Sequence, residues 1–431
     1  MIKVGMVSLG CAKNLVDSEM ILGMLNESNF QVVNTIEEAD VLICNTCGFI
    51  NASKEESINS ILELASYQKK LVVTGCLVQR YKEELMAAIP EVDLYVSINE
   101  YPHINELIMM LFTDEVNVQP LNPFVRLLST PNYQAYLRIS EGCNNCCTYC
   151  AIPLIRGKFV SRPFEDILKE AHILLEKGIK ELVVISQDTT RYGSDFSPKI
   201  TIATLLKELL KLDFVSIRLL YLYPDEIEDD LIQVIKENQD RLSPYFDIPL
   251  QHASNKVLKA MNRRGTKEEY LALIRKIRKE IPNAILRTTY IVGFPGETKR
   301  DFEQLINFTK EVKFDHMGAF TYSREEGTKS FDYKGQVRKS TKQKRYDELM
   351  KVQKVISYEQ NKKHINEIMT GLVVGYDQAK NEYQLRSYWN APDDIDGYIY
   401  FKSKKELTIG ESVKIKITNA FVYDLFGELV D

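Results

Sequence analysis

The sequence predicts a mixed α/β protein with three parts: a parallel-sheet α/β domain, a partial (β/α)6 barrel and a small antiparallel β-barrel. Over the first 335 or so residues, short apolar runs alternate with amphipathic stretches, which is typical of parallel sheets covered by helices. Residues 368–431 instead carry short β-branched and aromatic segments with polar turns between them. At 431 residues, the chain is longer than one hydrophobic core usually serves.

Composition indicates a soluble globular protein. Hydrophobic residues make up 45% and charged residues 27% of the chain, and no apolar run approaches the roughly 18 residues of a membrane span. The first residues, "MIKVGMVSLG", read as a strand and are too short for a signal peptide, so we expect a cytoplasmic protein without membrane contact. Cytosolic thiols stay reduced, so the eight cysteines favour metal over disulfides. A net charge of -5 argues against bare nucleic acid as the main partner.

Residues 1–112 place three cysteines at equivalent positions of a predicted parallel sheet. Cys11 follows "VGMVSLG", Cys47 follows "VLICNT" and Cys76 follows "LVVTG", so each begins the loop where a strand ends. Parallel strands end at one edge of a sheet, where ligands of such sheets bind. The alternative is that each cysteine is a small buried hydrophobic residue. The threefold repetition of the position favours metal ligands.

Residues 113–134 carry three prolines and no helical period, which predicts a linker with at most one edge strand. Residues 135–335 then show six strand-helix units, which predict a full or partial barrel with its chemistry at the carboxyl ends of the strands. The six candidate strands are "AYLRIS", "ELVVIS", "FVSIRLLYL", "YFDIPL", "AILRTTYIVG" and "HMGAFTYS".

Residues 336–366 have helical spacing and contain nine Lys/Arg against three Asp/Glu. A basic, solvated helix that links two domains is the favoured interpretation over an RNA contact, because charge runs are most often exposed faces. For residues 367–431 we predict a five-stranded barrel. Its candidate strands are "MTGLVVGYD", "EYQLRSYW", "GYIYFKS", "ESVKIKITN" and "AFVYDLFGELV".

Four cysteines lie within the eight residues "CNNCCTYC", directly after the first predicted barrel strand. A tetrahedral zinc site normally joins two spaced pairs from separate loops, which this segment does not offer. The side chains of the adjacent Cys146 and Cys147 diverge, so one of the two is expected not to be a ligand. Taking Cys143, Cys147 and Cys150 leaves the spacing Cys-x3-Cys-x2-Cys. Iron-sulfur clusters usually have four cysteines, so three thiolates leave one iron of a 4Fe-4S cube open.

This spacing at the end of a first barrel strand resembles the radical S-adenosylmethionine (SAM) enzymes. In that family the open iron binds the amino and carboxyl groups of SAM, and Tyr149 lies where the family places a residue beside the adenine. The segments "SLGCAKNLVDSEM", "NTCGFINASKEES", "GCLVQRY" and "GCNNCCTYCAIPLIRG" further resemble the signatures of the methylthiotransferases. The tail is similar to the TRAM domain, so the resemblance spans essentially the whole chain.

The resemblance implies two 4Fe-4S clusters, one on Cys143, Cys147 and Cys150 and an auxiliary one on Cys11, Cys47 and Cys76. SAM would serve as radical source and as methyl donor, with electrons from a donor such as flavodoxin or ferredoxin. A 5'-deoxyadenosyl radical would remove hydrogen from the substrate carbon, and the auxiliary cluster would deliver sulfur to it.

Two branches of this family differ in substrate: one modifies an adenosine of transfer RNA, the other an aspartate β-carbon of ribosomal small-subunit protein 12. The segments "IRLLYLYPDEI", "LRTTYIVGFPGET" and "FTYSREEGT" resemble the protein-modifying branch. Residues 368–431 hold seven Lys/Arg against ten Asp/Glu, whereas a domain that grips transfer RNA should be positive. A negative barrel suits a basic protein partner, although a solvated acidic face is the alternative. Direct tRNA binding is therefore not expected, and modification of tRNA adenosine is the alternative function.

Further candidates lie at predicted strand ends and in the cysteine segment. Gln187, Asp188 and Gln251 offer hydrogen bonds to SAM, with turn or core polar groups as an equal alternative. Gly293 could let backbone approach the cofactor, or serve an ordinary turn. The remaining expectations are a contact to anionic substrate from Arg156 and Lys158, a structural His252, a core position for Cys44 and an open role for Cys146.

Overall fold

The computed structural model describes residues 1–113, 122, 124–393 and 395–430, and it divides the chain into two compact units. Unit 1 comprises Met1–Pro131, Ser140–Val160 and Ser323–Phe331; unit 2 comprises Asn132–Ile139, Ser161–Tyr322 and Asp332–Asp431. Among the described residues, every helix is too short or too polar to cross a lipid bilayer.

Unit 1 is built on a five-stranded parallel sheet in the order β2-β1-β3-β4-β5. Its strands are β1 (Ile2–Ser8), β2 (Phe30–Val32), β3 (Val41–Thr46), β4 (Lys70–Gly75) and β5 (Leu94–Val96). Its helices are α1 (Ala12–Asn26), α2 (Asn51–Ala65), α3 (Cys76–Ala88), α4 (Ile104–Met109) and α5 (Ile152–Arg156). The three longer strands were predicted from sequence. The three-residue strands β2 and β5 were missed, because so few residues show no alternation.

The core of unit 1 lies on both faces of this sheet. Strand β3 is buried along its whole length, as expected for a parallel strand covered by helices on both sides. Leu42 and Cys44 face one hydrophobic cluster, and Val41 and Ile43 face the other. The Cys44 side chain is fully buried, and burial raises its thiol pKa to about 12. The predicted core position of Cys44 is thus confirmed.

Unit 2 contains six parallel strands, each followed by helix, as the alternation predicts. They form two three-stranded sheets, β10-β9-β6 and β11-β12-β13. Their bounds are β6 (Gln134–Arg138), β9 (Glu181–Ile185), β10 (Ser216–Leu219), β11 (Tyr245–Asp247), β12 (Ile285–Val292) and β13 (His316–Thr321). Between the sheets, Ser243 N–H donates to the Ile217 carbonyl and Leu222 N–H to the Asp247 carbonyl, which continues the curved wall of a partial barrel.

The helices of this partial barrel are α6 (Phe164–Glu176), α7 (Ile202–Leu209), α8 (Asp229–Glu237), α9 (Asn255–Ala260), α10 (Lys267–Glu280) and α11 (Lys299–Val312). Two-residue strands β7 (Ser140–Glu141) and β8 (Val160–Ser161) flank the segment of four cysteines.

The basic stretch forms one helix, α12 (Lys339–Lys362), but it is more than a solvated connection. Leu349 and Ile356 are buried. The buried amide of Gln353 donates to the Phe314 carbonyl, and the amide of Gln360 donates to the Asp315 carboxylate. One face of α12 is therefore fixed to the barrel by buried hydrogen bonds, which the charge pattern alone does not reveal.

The tail of unit 2 is a closed five-stranded barrel in the order β14-β15-β16-β18-β17, as predicted. Its strands are β14 (Ile368–Asp377), β15 (Glu382–Ser387), β16 (Ile399–Lys402), β17 (Ser412–Ala420) and β18 (Leu425–Val430). Arg386 lies 3.0 Å from Glu181, the first residue of β9, and Tyr245, the first residue of β11, donates to Asp396 at 2.6 Å. The small barrel thus packs against the amino ends of the partial-barrel strands, opposite the ends where chemistry is expected.

In the predicted linker 113–134, residues 114–121 and 123 lie outside the described residues. Residues 124–133 form no strand. In this stretch the buried Arg126 lies 2.5 Å from the buried Glu19 of α1.

Candidate functional site: two groups of three cysteines

The first group of cysteines lies at the carboxyl edge of the sheet in unit 1. Three neighbouring strands of the sheet, β1, β3 and β4, each lead into one of these cysteines. Cys47 and Cys76 directly follow β3 and β4, and Cys11 lies shortly after β1. Besides burial, Cys11 contributes to raising the pKa of Cys47, and Cys11 and Cys47 both contribute to raising the pKa of Cys76, so the structure brings the three residues together at this edge. Cys11 is exposed, whereas Cys47 and Cys76 are buried. One detail differs from the sequence expectation, because Cys76 is already the first residue of α3 and begins no loop.

Glycines beside these cysteines allow the close approach. A Cβ on Gly10 would lie 3.1 Å from the Cys47 sulfur. A Cβ on Gly48 would lie 2.7–2.8 Å from backbone atoms of Cys76 and Leu77. Any larger residue at either position would push two cysteine-bearing segments apart.

Buried polar side chains hold the same segments. Ser57 accepts from the Cys47 amide and donates to the Cys47 carbonyl, each at 3.0 Å. The Asn14 amide donates to the carbonyls of Leu9 and Thr46, just before Cys11 and Cys47, at 2.7 and 3.0 Å. Buried polar groups without such partners would be costly, so these bonds fix the two loops relative to each other.

Arg156, at the end of α5, reaches into this group. Its Nη1 lies 2.6 Å from Oδ2 of Asp17, and its Nη2 donates to Oδ1 of Asn14 at 3.0 Å and to the Cys76 sulfur at 3.5 Å. Burial raises the pKa of the Cys76 thiol to about 12, with Arg156 acting in the opposite direction. The expected substrate contact of Arg156 is therefore corrected: its guanidinium is buried and held by Asp17 and Asn14. Lys158 remains exposed.

The second group lies in the loop before α5. Cys143 and Cys147 are buried, Cys150 is half-buried and Cys146 is exposed. Cys146 has a left-handed backbone with φ of 50°, and its exposure differs from that of the adjacent, buried Cys147. The loop is closed by the Cys143 amide donating to the Gly157 carbonyl at 3.2 Å and by the Cys150 amide donating to the Cys147 carbonyl at 3.0 Å. None of the eight cysteines forms a disulfide.

Residues 323–331, which we call the strap, touch both cysteine-bearing regions of unit 1. The buried carboxylate of Glu325 lies 2.9 Å from Lys54 Nζ and 3.2 Å from Arg80 Nη1. Arg80 also donates to the carbonyl of Gly48, the residue after Cys47, at 2.6 Å. Although burial raises the pKa of Glu325, its hydrogen bonds and the two cations lower it overall.

The far end of the strap contacts the second cysteine loop. There the Ser330 amide donates at 2.8 Å to the carbonyl of Thr148, which lies between Cys147 and Cys150. The strap therefore ties the segment after Cys47 to the second cysteine loop.

In unit 2, Gln187 and Asp188 follow β9. Asp188 is buried, accepts from the Thr190 hydroxyl at 2.8 Å and lies 3.7 Å from Arg191. Gln251, which follows β11, has φ of 70°, and its backbone bonds to Thr289 and Ile291 of β12. These residues lie at the carboxyl ends of barrel strands, as predicted, and the contacts of Asp188 agree with the alternative of a polar group satisfied within the turn.

Gly293 directly follows β12 with φ of 76°, and its amide donates to the Glu297 carboxylate. A Cβ at this position would collide with the side chain of Lys342 of α12, so close packing of α12 accounts for the glycine. Burial raises the pKa of Glu297 to about 7, opposed by Arg345 at 2.8 Å. His252 is fully buried and accepts from the Ser254 amide at 2.9 Å, and burial lowers its pKa to about 3. The expected structural role fits these contacts.

The donor chemistry of both groups suits iron-sulfur clusters. Among the described residues, no three His, Cys, Asp or Glu side chains are arranged to hold a single metal ion. Thiolates that bind different irons of a cube stand farther apart than the ligands of one ion, and three thiols are the donors that such clusters use. The first group in particular combines mutual proximity with burial of two of its three thiols.

Sequence reasoning missed the supporting residues Asn14, Asp17, Ser57 and Glu325. A weak signal exists for the first two, because Asn14 and Asp17 are spaced for one face of a helix. No comparable signal marks Glu325, whose partners Lys54 and Arg80 are more than two hundred residues away in the chain.

Comparison with known proteins first defines the class. Residues 137–309 match the family model "Radical SAM superfamily", residues 3–97 match "Uncharacterized protein family UPF0004", and residues 368–430 match "TRAM domain". Among solved structures, the radical SAM methyltransferase TsrM from Kitasatospora setae superposes with a TM-score of 0.56 at 12% identity, covering 74% of each chain. The cobalamin-dependent radical enzyme OxsB gives 0.51 at 13% identity, over 83% of this chain and 56% of that chain. Residues 137–309 therefore form a radical SAM domain, and the chain shares its fold with solved radical SAM enzymes.

Full-length relatives define the particular family. "Ribosomal protein uS12 methylthiotransferase RimO" of Clostridioides difficile is 48% identical over 100% of this chain and 99% of its own length. The protein of the same name from Acetivibrio thermocellus is 45% identical, over 100% and 98%. The chain belongs to the family of ribosomal protein uS12 methylthiotransferases, which confirms the branch that the sequence motifs favour.

Proposed function

We propose that this protein transfers a methylthio group to the β-carbon of an aspartate in ribosomal protein uS12. The observation that carries the proposal is near-complete, end-to-end similarity to uS12 methylthiotransferases. Two groups of three cysteines in one chain supply the thiolates that such a reaction needs.

Membership of the radical SAM superfamily implies a 4Fe-4S cluster and SAM. We assign the ligands of this cluster to Cys143, Cys147 and Cys150, leaving out the exposed Cys146. When bound, the cluster and SAM supply a radical that removes hydrogen from an unactivated C–H bond, which no side-chain base can do. Tyr149, Gln187, Asp188, Gln251 and Gly293 are the proposed cofactor-binding residues.

A second 4Fe-4S cluster is proposed on Cys11, Cys47 and Cys76. The mutual proximity of the thiols, the two-way hydrogen bonding of Ser57 to Cys47, and the contact of Arg156 with Cys76 support it. When bound, this cluster supplies the sulfur that is transferred, and SAM supplies the methyl group. The chain's own part is to keep the three thiols at one sheet edge and to shield Cys47 and Cys76 from water.

The partner surface is proposed to be acidic. Residues 368–431 carry an excess of three acidic residues, which complements a basic ribosomal protein better than the phosphates of transfer RNA. An electron donor such as flavodoxin or ferredoxin completes the proposed partners. A cytoplasmic location, where thiols stay reduced, suits both clusters.

The test is anaerobic reconstitution with iron and sulfide, followed by incubation with SAM, a reductant and either a uS12 peptide or unmodified transfer RNA. Mass spectrometry should show one methylthio group in place of hydrogen on the target aspartate of the peptide. The same gain on an adenosine of the RNA, with the peptide unchanged, would overturn the proposal in favour of tRNA modification. No gain on either substrate, from protein that cleaves SAM, would contradict both.

A further inference from the structure

Arg156 lies beside the first group of cysteines, Cys11, Cys47 and Cys76, where its side chain can influence the reduction potential of a cluster bound there. It lies six residues after Cys150, yet its guanidinium contacts the Cys76 sulfur. Its side chain is almost fully buried. A buried cation beside a cysteine sulfur needs a partner, because burying a charge is costly unless it is paired.

The two terminal nitrogens of the Arg156 guanidinium have different partners, and one of them donates to Cys76. Nη1 is balanced by Asp17 at 2.6 Å, with Glu141 at 3.5 Å, while Nη2 points to the Cys76 sulfur and to Asn14. The planar guanidinium can hold a carboxylate with one nitrogen and donate to sulfur with the other. A lysine ammonium, as a single point charge, does not reproduce this fork.

We propose that Arg156 is a positioning residue that raises the reduction potential of the auxiliary cluster by donating a hydrogen bond to the Cys76 thiolate. The inference rests on the proposed function, since it requires that Cys11, Cys47 and Cys76 hold a cluster. Hydrogen bonds to sulfur ligands and nearby net charge are among the factors that set the potentials of iron-sulfur clusters. A donor and positive charge at Cys76 stabilise the reduced, more negative state.

Variants of Arg156 and Asp17 should shift the reduction potential in opposite directions, which structural damage alone would not produce. Loss of Arg156 removes the donor and leaves the Asp17 carboxylate unbalanced, so the potential should become more negative. Replacement of Asp17 by asparagine leaves the Arg156 charge unbalanced beside Cys76, so the potential should become more positive. Both changes break the same buried ion pair, which makes similar losses of stability expected in the two variants.

The experiment uses the full-length chain with Cys143, Cys147 and Cys150 replaced by alanine, so that iron reports on the auxiliary group alone. After anaerobic reconstitution, iron content and the midpoint potential are measured for this parent and for Arg156→Gln, Asp17→Asn and Arg126→Gln added to it. Arg126 is the matched control, because it is also buried and paired with a carboxylate, Glu19, in the same unit.

The expected result is a negative shift for Arg156→Gln, a positive shift for Asp17→Asn and the parent's potential for Arg126→Gln. An unchanged potential in Arg156→Gln, or shifts of the same sign in the first two variants, would overturn the inference while leaving the cluster itself in place. A parent that retains no iron would instead sink the proposed auxiliary cluster, and the inference with it. If Arg156→Gln loses its iron, the midpoint potential of Arg156→Lys is measured in its place. A potential equal to the parent's in Arg156→Lys would contradict the proposed role of the guanidinium.

Discussion

Cys146 and Cys147 are covalent neighbours with opposite environments. Cys146 has a left-handed backbone and is exposed, whereas Cys147 and Cys143 are both buried. This difference in exposure supports the proposed ligand set of Cys143, Cys147 and Cys150, which leaves out Cys146.

Replacement of Cys146 by alanine should therefore leave the iron content of reconstituted protein unchanged. Replacement of Cys147 by alanine should remove about half of the iron, because one of two four-iron clusters loses a ligand. Iron analysis of both variants provides the measurement, and a loss of about half the iron in Cys146→Ala would require a different ligand set.

His252 is a titratable group that burial in the core keeps neutral. Burial lowers its pKa to about 3, against about 6.5 in an unfolded chain. Between these two pH values the unfolded state binds more protons at His252 than the folded state does. The free energy of unfolding therefore decreases as the pH falls through this range.

The wild-type chain should consequently lose up to about 1.4 kcal/mol per pH unit from this residue between pH 6.5 and 3. His252→Gln lacks that contribution, so the stability difference between wild type and variant should shrink toward acid pH. Urea unfolding of the metal-free chains at several pH values measures it. A difference that stays constant with pH would contradict a neutral buried imidazole.

At the scale of elements, the sheet edge of unit 1 depends on how strands end. The strands β1, β3 and β4 run parallel, so their carboxyl ends lie at the same edge of the sheet whatever the course of the loops. Hydrophobic alternation was enough to predict this edge and the six barrel strands, because both are set by local sequence periods. The strap could not be predicted in the same way, since the pairing of Glu325 with Lys54 and Arg80 joins distant segments and leaves no periodic trace.

Glu325→Gln should destabilise the strap strongly, because it leaves the buried Arg80 and the largely buried Lys54 without a countercharge. Breaking one side of a buried ion pair costs about 3–5 kcal/mol. The free energy of unfolding of the metal-free chain in urea measures the effect, together with iron retention after reconstitution.

Glu326→Gln is the matched control, because the carboxylate of Glu326 is exposed and accepts only from the hydroxyl of the half-buried Tyr81 among the contacts described. This control should change stability by no more than about 0.5 kcal/mol. Equal losses in the two variants would show that Glu325 has no special part in holding the strap.

At the scale of the whole molecule, the proposed cofactor-binding residues and the proposed partner surface lie in separate parts of the chain. In unit 2 the small acidic barrel packs against the amino ends of the barrel strands, whereas Asp188, Gln251 and Gly293 lie at the carboxyl ends. In unit 1 both groups of three cysteines belong to one compact body. The motifs were sufficient to predict the family and the two cysteine groups, but not the charge pair of Arg156 and Asp17, which depends on tertiary folding.

We propose that six cysteines hold two separate clusters. The most direct test measures iron and sulfide in three reconstituted full-length proteins: the wild type, a Cys11/Cys47/Cys76→Ala triple variant and a Cys143/Cys147/Cys150→Ala triple variant. We expect about eight irons in the wild type and about four in each triple variant. About four irons in the wild type, with no iron left in one of the triple variants, would contradict the claim.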